Sequence, residues 1–271
     1  MSATKSSLSL AAGQEALLRR YLGLLLEKNR TLNLTAVRDP DAAWDRHILD
    51  SLSLTPFLQG SRRLLDLGSG GGLPGIPLAI VRPDLEVALL EATGKKTRFL
   101  EEAVAELGLP NVSVINARAE DTAREPGHRA RYDTVTARAL ASLAAVVELA
   151  LPFLEEGGRL LAMKGERLSE EAFALCVRSG LRRVLVGVES GSPEMVQTLQ
   201  KDITLEQVMV VAERCVRHGI AATFPFIVGF PGEDPSTVQA SIDLAQVLRD
   251  LSPQFKTPFF FYQPYPGTAI S

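Results

Sequence analysis

Apolar residues recur at three- and four-residue spacing over residues 13 to 29, "GQEALLRRYLGLLLEKN", where Leu17, Leu18, Tyr21, Leu22 and Leu25 share one face. That period predicts an amphipathic helix. "DPDAAWDRHILDSLSLTPFL" predicts a second helix, with Asp39 or Asp41 as its cap. From residue 62 the pattern changes to short apolar runs separated by helical stretches. "RRLLDLG" reads as a strand running into glycines, "PGIPLAIVRP" as a helix opened by Pro74 and ended before Pro83, and "LEVALLEA" as a second strand. "GKKTRFLEEAVAELGLP" is a helix ending at Gly108, and "NVSVINARAE", "YDTVTARAL" and "GGRLLAMKG" supply strands three to five.

Strands alternating with helices at this spacing predict an α/β fold, a doubly wound, mostly parallel sheet with helices on both faces. Ligands in such folds bind at the carboxyl ends of the strands, which is where the glycines of "LLDLGSGGGLPGIPLAI" fall. The alternation continues from residue 168, with strands expected near 183 to 188, 221 to 228 and 257 to 262 and a first crossover helix at 169 to 179. Helices of a dozen or more residues between these strands forbid hairpins and suit parallel crossovers. Strands this apolar should not stay exposed, so they are expected to continue or abut the first sheet.

A turn rich in glycine lets the backbone approach a ligand, and the following helix offers unpaired N–H groups. A dinucleotide or S-adenosylmethionine could sit there. A phosphate-cradling Walker loop would need Lys followed by Ser or Thr, and "GLPGIP" stands instead. Glu91, about twenty positions on, suits a ribose and keeps a nicotinamide site open. Three details favour S-adenosylmethionine. Asp66 ends the strand before the turn, placed to hold water or the ligand's ammonium group; Glu120 follows the third strand beside an adenine position; and no hydride-transfer set is evident.

Charge narrows the picture further. The net charge is −3, and residues 1 to 166 hold 20 basic against 21 acidic residues, with 9 against 11 beyond. A broad basic face for nucleic acid is therefore not expected, and any RNA must meet a local patch. No apolar run reaches the ~18 residues of a membrane span, and no signal pattern opens the chain, so a cytoplasmic protein without membrane partners is expected. Two cysteines, Cys176 and Cys215, make no disulfide framework and read as small buried thiols.

In order along the chain, "NLTAVRD", "RHILDSL", "DLGSGGGLPGIPLAI", "GKKTRFLEEAVAELGL", "ARAED", "ARALASL" and "AMKG" resemble the RsmG (GidB) family of small-subunit rRNA methyltransferases. The resemblance covers roughly residues 14 to 166, and the expected domain is 1 to 166. It implies methyl transfer from S-adenosylmethionine to guanine N7 in 16S rRNA, with the small ribosomal subunit as partner. Carried onto this sequence, it implies cofactor contacts at Gly68, Leu73, Ala119, Glu120 and Arg138, beside the turn's own Asp66, Gly70 and Glu91. Guanine N7 has a free lone pair and needs no general base, so positioning and water exclusion do most of the work. Arg138 and Lys164 are the positioning candidates. Asn33, Arg38, Arg46 and His47 are RNA-binding candidates, although Asn33 also suits a turn, Arg46 a pair with Asp50, and His47 a satisfied structural role.

Residues 167 to 271 resemble a different family. "RVLVGVESGSPEMVQTLQKDIT", "GIAATFPFIVGFPGE" and "FFFYQPYPGT" are similar to the partial barrel of radical S-adenosylmethionine enzymes. By that likeness Glu189, Ser190, Ile227 and Glu233 would face a cofactor. The Cys-x3-Cys-x2-Cys motif of the family is missing, since the two cysteines lie 39 positions apart. Thiolates hold the irons of such a cluster, so no iron–sulfur cluster is expected. The two resemblances are incomplete in complementary places, as in a recombinant of two α/β proteins. The alternative to a methyltransferase is accordingly a non-catalytic chimeric scaffold.

Overall fold

The structure, a computed structural model, describes residues 10–163, 169–178, 180–199 and 203–262. The chain divides into two compact units, with the boundary in sequence between Lys164 and Gly165.

The first unit is built on five strands, β1 (Arg63–Leu67), β2 (Glu86–Leu90), β3 (Val112–Ile115), β4 (Tyr132–Arg138) and β5 (Leu154–Met163). All pair in parallel, in the order β3-β2-β1-β4-β5. The chain runs outward from β1 to β3 and then crosses back to place β4 beside β1. The strand order therefore reverses between β1 and β4, and a crevice opens at their carboxyl ends in folds of this kind. The doubly wound sheet expected from the alternation is present.

Its strands are apolar at successive positions because both faces are covered. On one face Leu64, Val87 and Leu89 pack with Leu18, Tyr21 and Leu25 of the Ala12–Leu32 helix, Ile76 and Leu78 of the Gly75–Val81 helix, and Phe99 and Leu100 of the Gly94–Leu107 helix. On the other, Leu65, Leu67 and Val135 pack with Val146 of the Leu143–Ala150 helix and with Phe153. Truncating one of these buried leucines to Ala costs about 2–5 kcal/mol. β5 begins three residues before the glycine-led start expected at 157, and between the pairs Tyr132–Leu154 and Thr134–Arg159 the four residues 155–158 oppose the single Asp133 as a bulge.

The second predicted helix is interrupted. Asp39 caps it by accepting from the Ala42 N–H at 2.9 Å. The stretch then passes from an α-helical turn (Pro40–Ala43) through a π-helical one (Trp44–Leu49) to Asp50–Leu52. Trp44, His47, Ile48, Ser51 and Leu52 all become buried, and the Arg19 guanidinium lies over the Trp44 ring, 4.5 Å from its centroid.

The second unit carries β6 (Arg183–Leu185), β7 (Ala221–Thr223), β8 (Phe226–Val228), β9 (Phe255–Lys256) and β10 (Phe259–Phe261). The helix Glu170–Arg178 precedes β6, Pro193–Thr198 and Leu205–Arg217 lie between β6 and β7, and Pro235–Leu251 lies between β8 and β9. All described ladders are parallel, as the crossover lengths require, in the orders β6-β7-β9 and β8-β10. Phe173, Val208, Ala212, Cys215, Phe224, Phe226, Ala245 and Leu248 form its core. Two expectations are corrected here. The single strand expected at 221 to 228 is split at Pro225, and the one expected at 257 to 262 starts only at Phe259, after Pro258, with the separate β9 ahead of it; a proline has no N–H for a ladder. Each proline carbonyl still accepts, from Glu189 N at 3.1 Å and from Phe226 N at 2.9 Å, so the chain steps from one ladder to the next. The described strands β6–β10 also pair among themselves and do not extend the five-stranded sheet.

Cys176 and Cys215 are buried thiols, as expected, and burial pushes the Cys215 thiol up to about 12. Among the described residues, no helix is long and apolar enough to cross a membrane.

Candidate functional site

The glycine-rich turn leaves β1 at the switch point. Gly68 and Gly70 have φ of 71° and 56°, in the left-handed region that favours glycine. The N–H groups of Gly68 and Ser69 donate to the Leu90 carbonyl at 2.9 and 3.1 Å, tying the turn to the end of β2. From the helix face, the buried Tyr21 hydroxyl donates to the Gly71 carbonyl at 2.7 Å. Burial raises the Tyr21 phenol well above its usual value, so it stays a donor. Leu73 follows within the turn, ahead of the Gly75–Val81 helix.

Asp66 lies under this turn. It is fully buried, and its carboxylate accepts from the Gly75 N–H at 3.1 Å and from the Thr136 hydroxyl at 2.9 Å. The expectation that it holds a ligand's ammonium group is corrected: with no exposed surface and both oxygens engaged, it fastens the turn to β4. Burial raises its pKa to about 6 against the opposing pull of the Thr136, Gly75 and Ser69 hydrogen bonds.

Glu91, at the end of β2, accepts from the Gly70 N–H at 3.0 Å and from Thr93 N at 2.8 Å. Its carboxylate thus sits against the turn, on the side where an acidic group meets ribose hydroxyls in such crevices. Asn116, after β3, donates to the Glu91 carbonyl at 3.0 Å and holds that strand end in place. Ala119 and Glu120 open a short helix, Ala119–Thr122, just beyond; Ala119 is half-buried and Glu120 exposed.

Arg138 ends β4 across the crevice from Glu91. One edge of its guanidinium is fastened: Nη2 donates to the Arg46 carbonyl at 2.6 Å, lies 3.1 Å from His47 Nδ1, and pairs with Asp50 at 3.5 Å. Asp50 therefore meets Arg138, where a pair with Arg46 was expected. Arg138 Nη1 is buried and has no hydrogen-bond partner among the described residues. His47 Nε2 lies 2.6 Å from the Thr35 hydroxyl, and the Thr35 oxygen also accepts from Val37 N at 3.0 Å. Burial and the neighbouring Arg138 charge lower the His47 pKa to about 4, so the ring is neutral at physiological pH.

Of the other RNA candidates, Asn33 takes φ 51° as the helix C-cap and so serves the turn, while Arg38 and Arg46 present exposed side chains. Lys164 lies outside the described residues. Three residues escaped the sequence reading. Asn29 holds the loop by accepting from Leu34 N at 2.6 Å and Thr35 N at 2.8 Å and donating to the Thr35 carbonyl at 2.9 Å. Thr35 stood inside the "NLTAVRD" motif, and Leu140, inside "ARALASL", lies over Gly68, where a Cβ would come within 2.5 Å of its Cδ1.

In the second unit Ser190 is fully buried, its hydroxyl 3.3 Å from that of Ser241, which corrects the expectation that it faces a cofactor. The Glu233 carboxylate folds back to accept from the Gly229 and Phe230 N–H groups. Glu189 takes φ 65°, and its carbonyl accepts from Ile227 N at 2.8 Å.

A family model described as rRNA small subunit methyltransferase G matches residues 14–182, and one described as the Radical SAM superfamily matches residues 130–245. Ribosomal RNA small subunit methyltransferase G of Chromobacterium violaceum is 49% identical over 165 residues, covering 61% of this chain and 77% of that protein. The protein of the same name from Xanthomonas axonopodis pv. citri is 53% identical over 167 residues, covering 62% and 76%. Among solved structures, a SAM dependent methyltransferase from Aquifex aeolicus aligns over 58% of this chain and 88% of its own, at 18% identity and a TM-score of 0.43. With a family model matching more than half of its length and relatives near 50% identity, the chain belongs to the rRNA small subunit methyltransferase G family.

Proposed function

We propose that the first unit transfers the methyl group of S-adenosylmethionine to N7 of a guanine in small-subunit rRNA. The observation that carries this reading is the pairing, across one switch point, of a glycine turn and the Glu91 carboxylate on one side with a half-fastened Arg138 guanidinium on the other. These groups fit the cofactor. The turn leaves backbone room, Glu91 offers acceptors for ribose hydroxyls, Leu140 offers an apolar contact, and the free Nη1 of Arg138 offers a donor for a carboxylate. When bound, S-adenosylmethionine supplies an electrophilic sulfonium methyl.

The remaining contribution of the chain is positional. No general base is required for an attacking lone pair, and two candidate bases are otherwise occupied: Asp66 is sealed beneath the turn, and both His47 nitrogens are engaged. The surrounding elements fix the bound reactants in line and keep water out. The methyl-transfer rate should therefore be flat from about pH 7 to 9, since Asp66 and His47 titrate at about 6 and about 4.

Calorimetry with S-adenosylhomocysteine tests the cofactor half. Binding should be stoichiometric and should fall at least tenfold in Gly70→Val, because a β-branched residue strongly resists φ near 56°. Tritiated methyl transfer to small subunits lacking the modification tests the substrate half, with the product base identified by mass spectrometry. Incorporation at another atom or base would refute the N7 assignment. Cofactor binding with no incorporation would favour the non-catalytic scaffold.

A further inference from the structure

The segment that carries Thr35 and the π-helical turn that carries His47 lie about a hundred and about ninety residues before Arg138, yet the three side chains form one line of hydrogen bonds. Arg138 can only donate. His47 Nδ1, 3.1 Å from Arg138 Nη2, must then be an acceptor, which leaves the ring proton on Nε2. Nε2–H donates to the Thr35 oxygen at 2.6 Å, and Thr35 is itself fixed by the Val37 N–H and by the Asn29 clamp on its backbone. Nothing in this line is left to choose its own tautomer or rotamer.

The line acts on one edge of the guanidinium only. Nη2 is held by the Arg46 carbonyl, His47 and Asp50, while Nη1 is buried without a partner among the described residues. A buried unpaired donor is costly, and that cost is relieved when a ligand acceptor arrives. We infer that Thr35 and His47 are positioning residues which fix the Arg138 guanidinium with its Nη1 edge ready for the cofactor's carboxylate. This inference rests on the cofactor reading above and assigns a role in cofactor affinity to His47, an RNA-binding candidate by sequence, and to Thr35, which the sequence reading passed over.

The charged groups facing His47 are Arg138 from β4, Asp50 from the following turn and Arg46 from its own. A second positive charge on the ring would both repel Arg138 and remove its acceptor. Neutrality of His47 is thus part of the arrangement.

The test is a double-mutant cycle on the full chain, read as Kd for S-adenosylhomocysteine, with thermal unfolding recorded for each variant. His47→Phe keeps a ring and removes both hydrogen bonds, and should weaken binding about tenfold. Thr35→Val should weaken it less, by about threefold. His47→Asn places an amide oxygen where Nδ1 stands and should recover most of the affinity lost in His47→Phe. Arg138→Met should cost at least tenfold, and adding His47→Phe to it should cost less than twofold more, because contacting residues in one line do not act independently. Fully additive losses, or no recovery in His47→Asn at equal thermal stability, would overturn the positioning role while leaving the cofactor reading intact. Unchanged binding in Arg138→Met would overturn both.

Discussion

Asp66 and His47 titrate in the same pH window with opposite consequences for stability. The Asp66 pKa is raised from 3.8 to about 6, so its favourable contribution is fully present below about 3.8 and is lost as pH rises through 6. The His47 pKa is lowered from 6.5 to about 4, so its contribution is fully present above 6.5 and is lost as pH falls toward 4. In the parent the two slopes oppose each other. At about 1.4 kcal/mol per pKa unit, Asp66→Asn should gain about 3 kcal/mol relative to the parent between pH 4 and 7. Urea midpoints at the two pH values would show it, and an identical offset at both would remove Asp66 from the account. His47→Phe should tilt the other way, losing the rise in stability with pH. The sequence made both residues visible, but only as a carboxylate before glycines and a histidine on a helix. Neither burial nor the loss of a ligand-facing role for Asp66 is encoded locally, because both come from Gly75 and Thr136 approaching from other elements.

The strands, helices and switch point of the first unit were legible because period, glycine and proline all agree there. Less legible was the π-helical turn, since its wider hydrogen-bonding leaves no mark on composition, and Trp44, His47 and Ile48 are all buried along it. In the second unit Pro225 and Pro258 stood in plain sight inside apolar runs, and their missing N–H groups were the signal for the broken strands. Within the glycine turn, Gly75 is the position with the least room. A Cβ there would lie 2.3 Å from Leu89 Cδ2 and 3.0 Å from Asp66 Cβ, both fully buried. Gly75→Ala should therefore cost about 1–3 kcal/mol as overpacking and weaken S-adenosylhomocysteine binding, because the displaced Asp66 no longer holds the turn. Chemical denaturation together with calorimetry checks both, and an unchanged denaturation midpoint would show that Leu89 can yield.

Each unit buries its own apolar residues, Leu18 through Leu109 and Leu65 through Phe153 in the first, Phe173 through Phe255 in the second. The full chain should then unfold in two calorimetric transitions. S-adenosylhomocysteine at a hundredfold excess over Kd should stabilise only one of them, by about 2.7 kcal/mol. A single transition raised as a whole would show that the units unfold together. The site residues of the first unit could be ranked from motifs, whereas the pairing of β6–β10 among themselves could not, since apolar strands do not announce which sheet they join.

Trp44 is the sole tryptophan of the 271 residues, buried in the first unit on the same π-helical turn as His47. Intrinsic fluorescence excited at the red edge of the absorption band therefore reports on one unit only, with no contribution from the other. A guanidinium lies against its indole and the carbonyl two residues on holds Arg138, so emission should respond to cofactor as well as to unfolding. The chain carries a built-in optical label for its methyltransferase half, and the second half is silent to it.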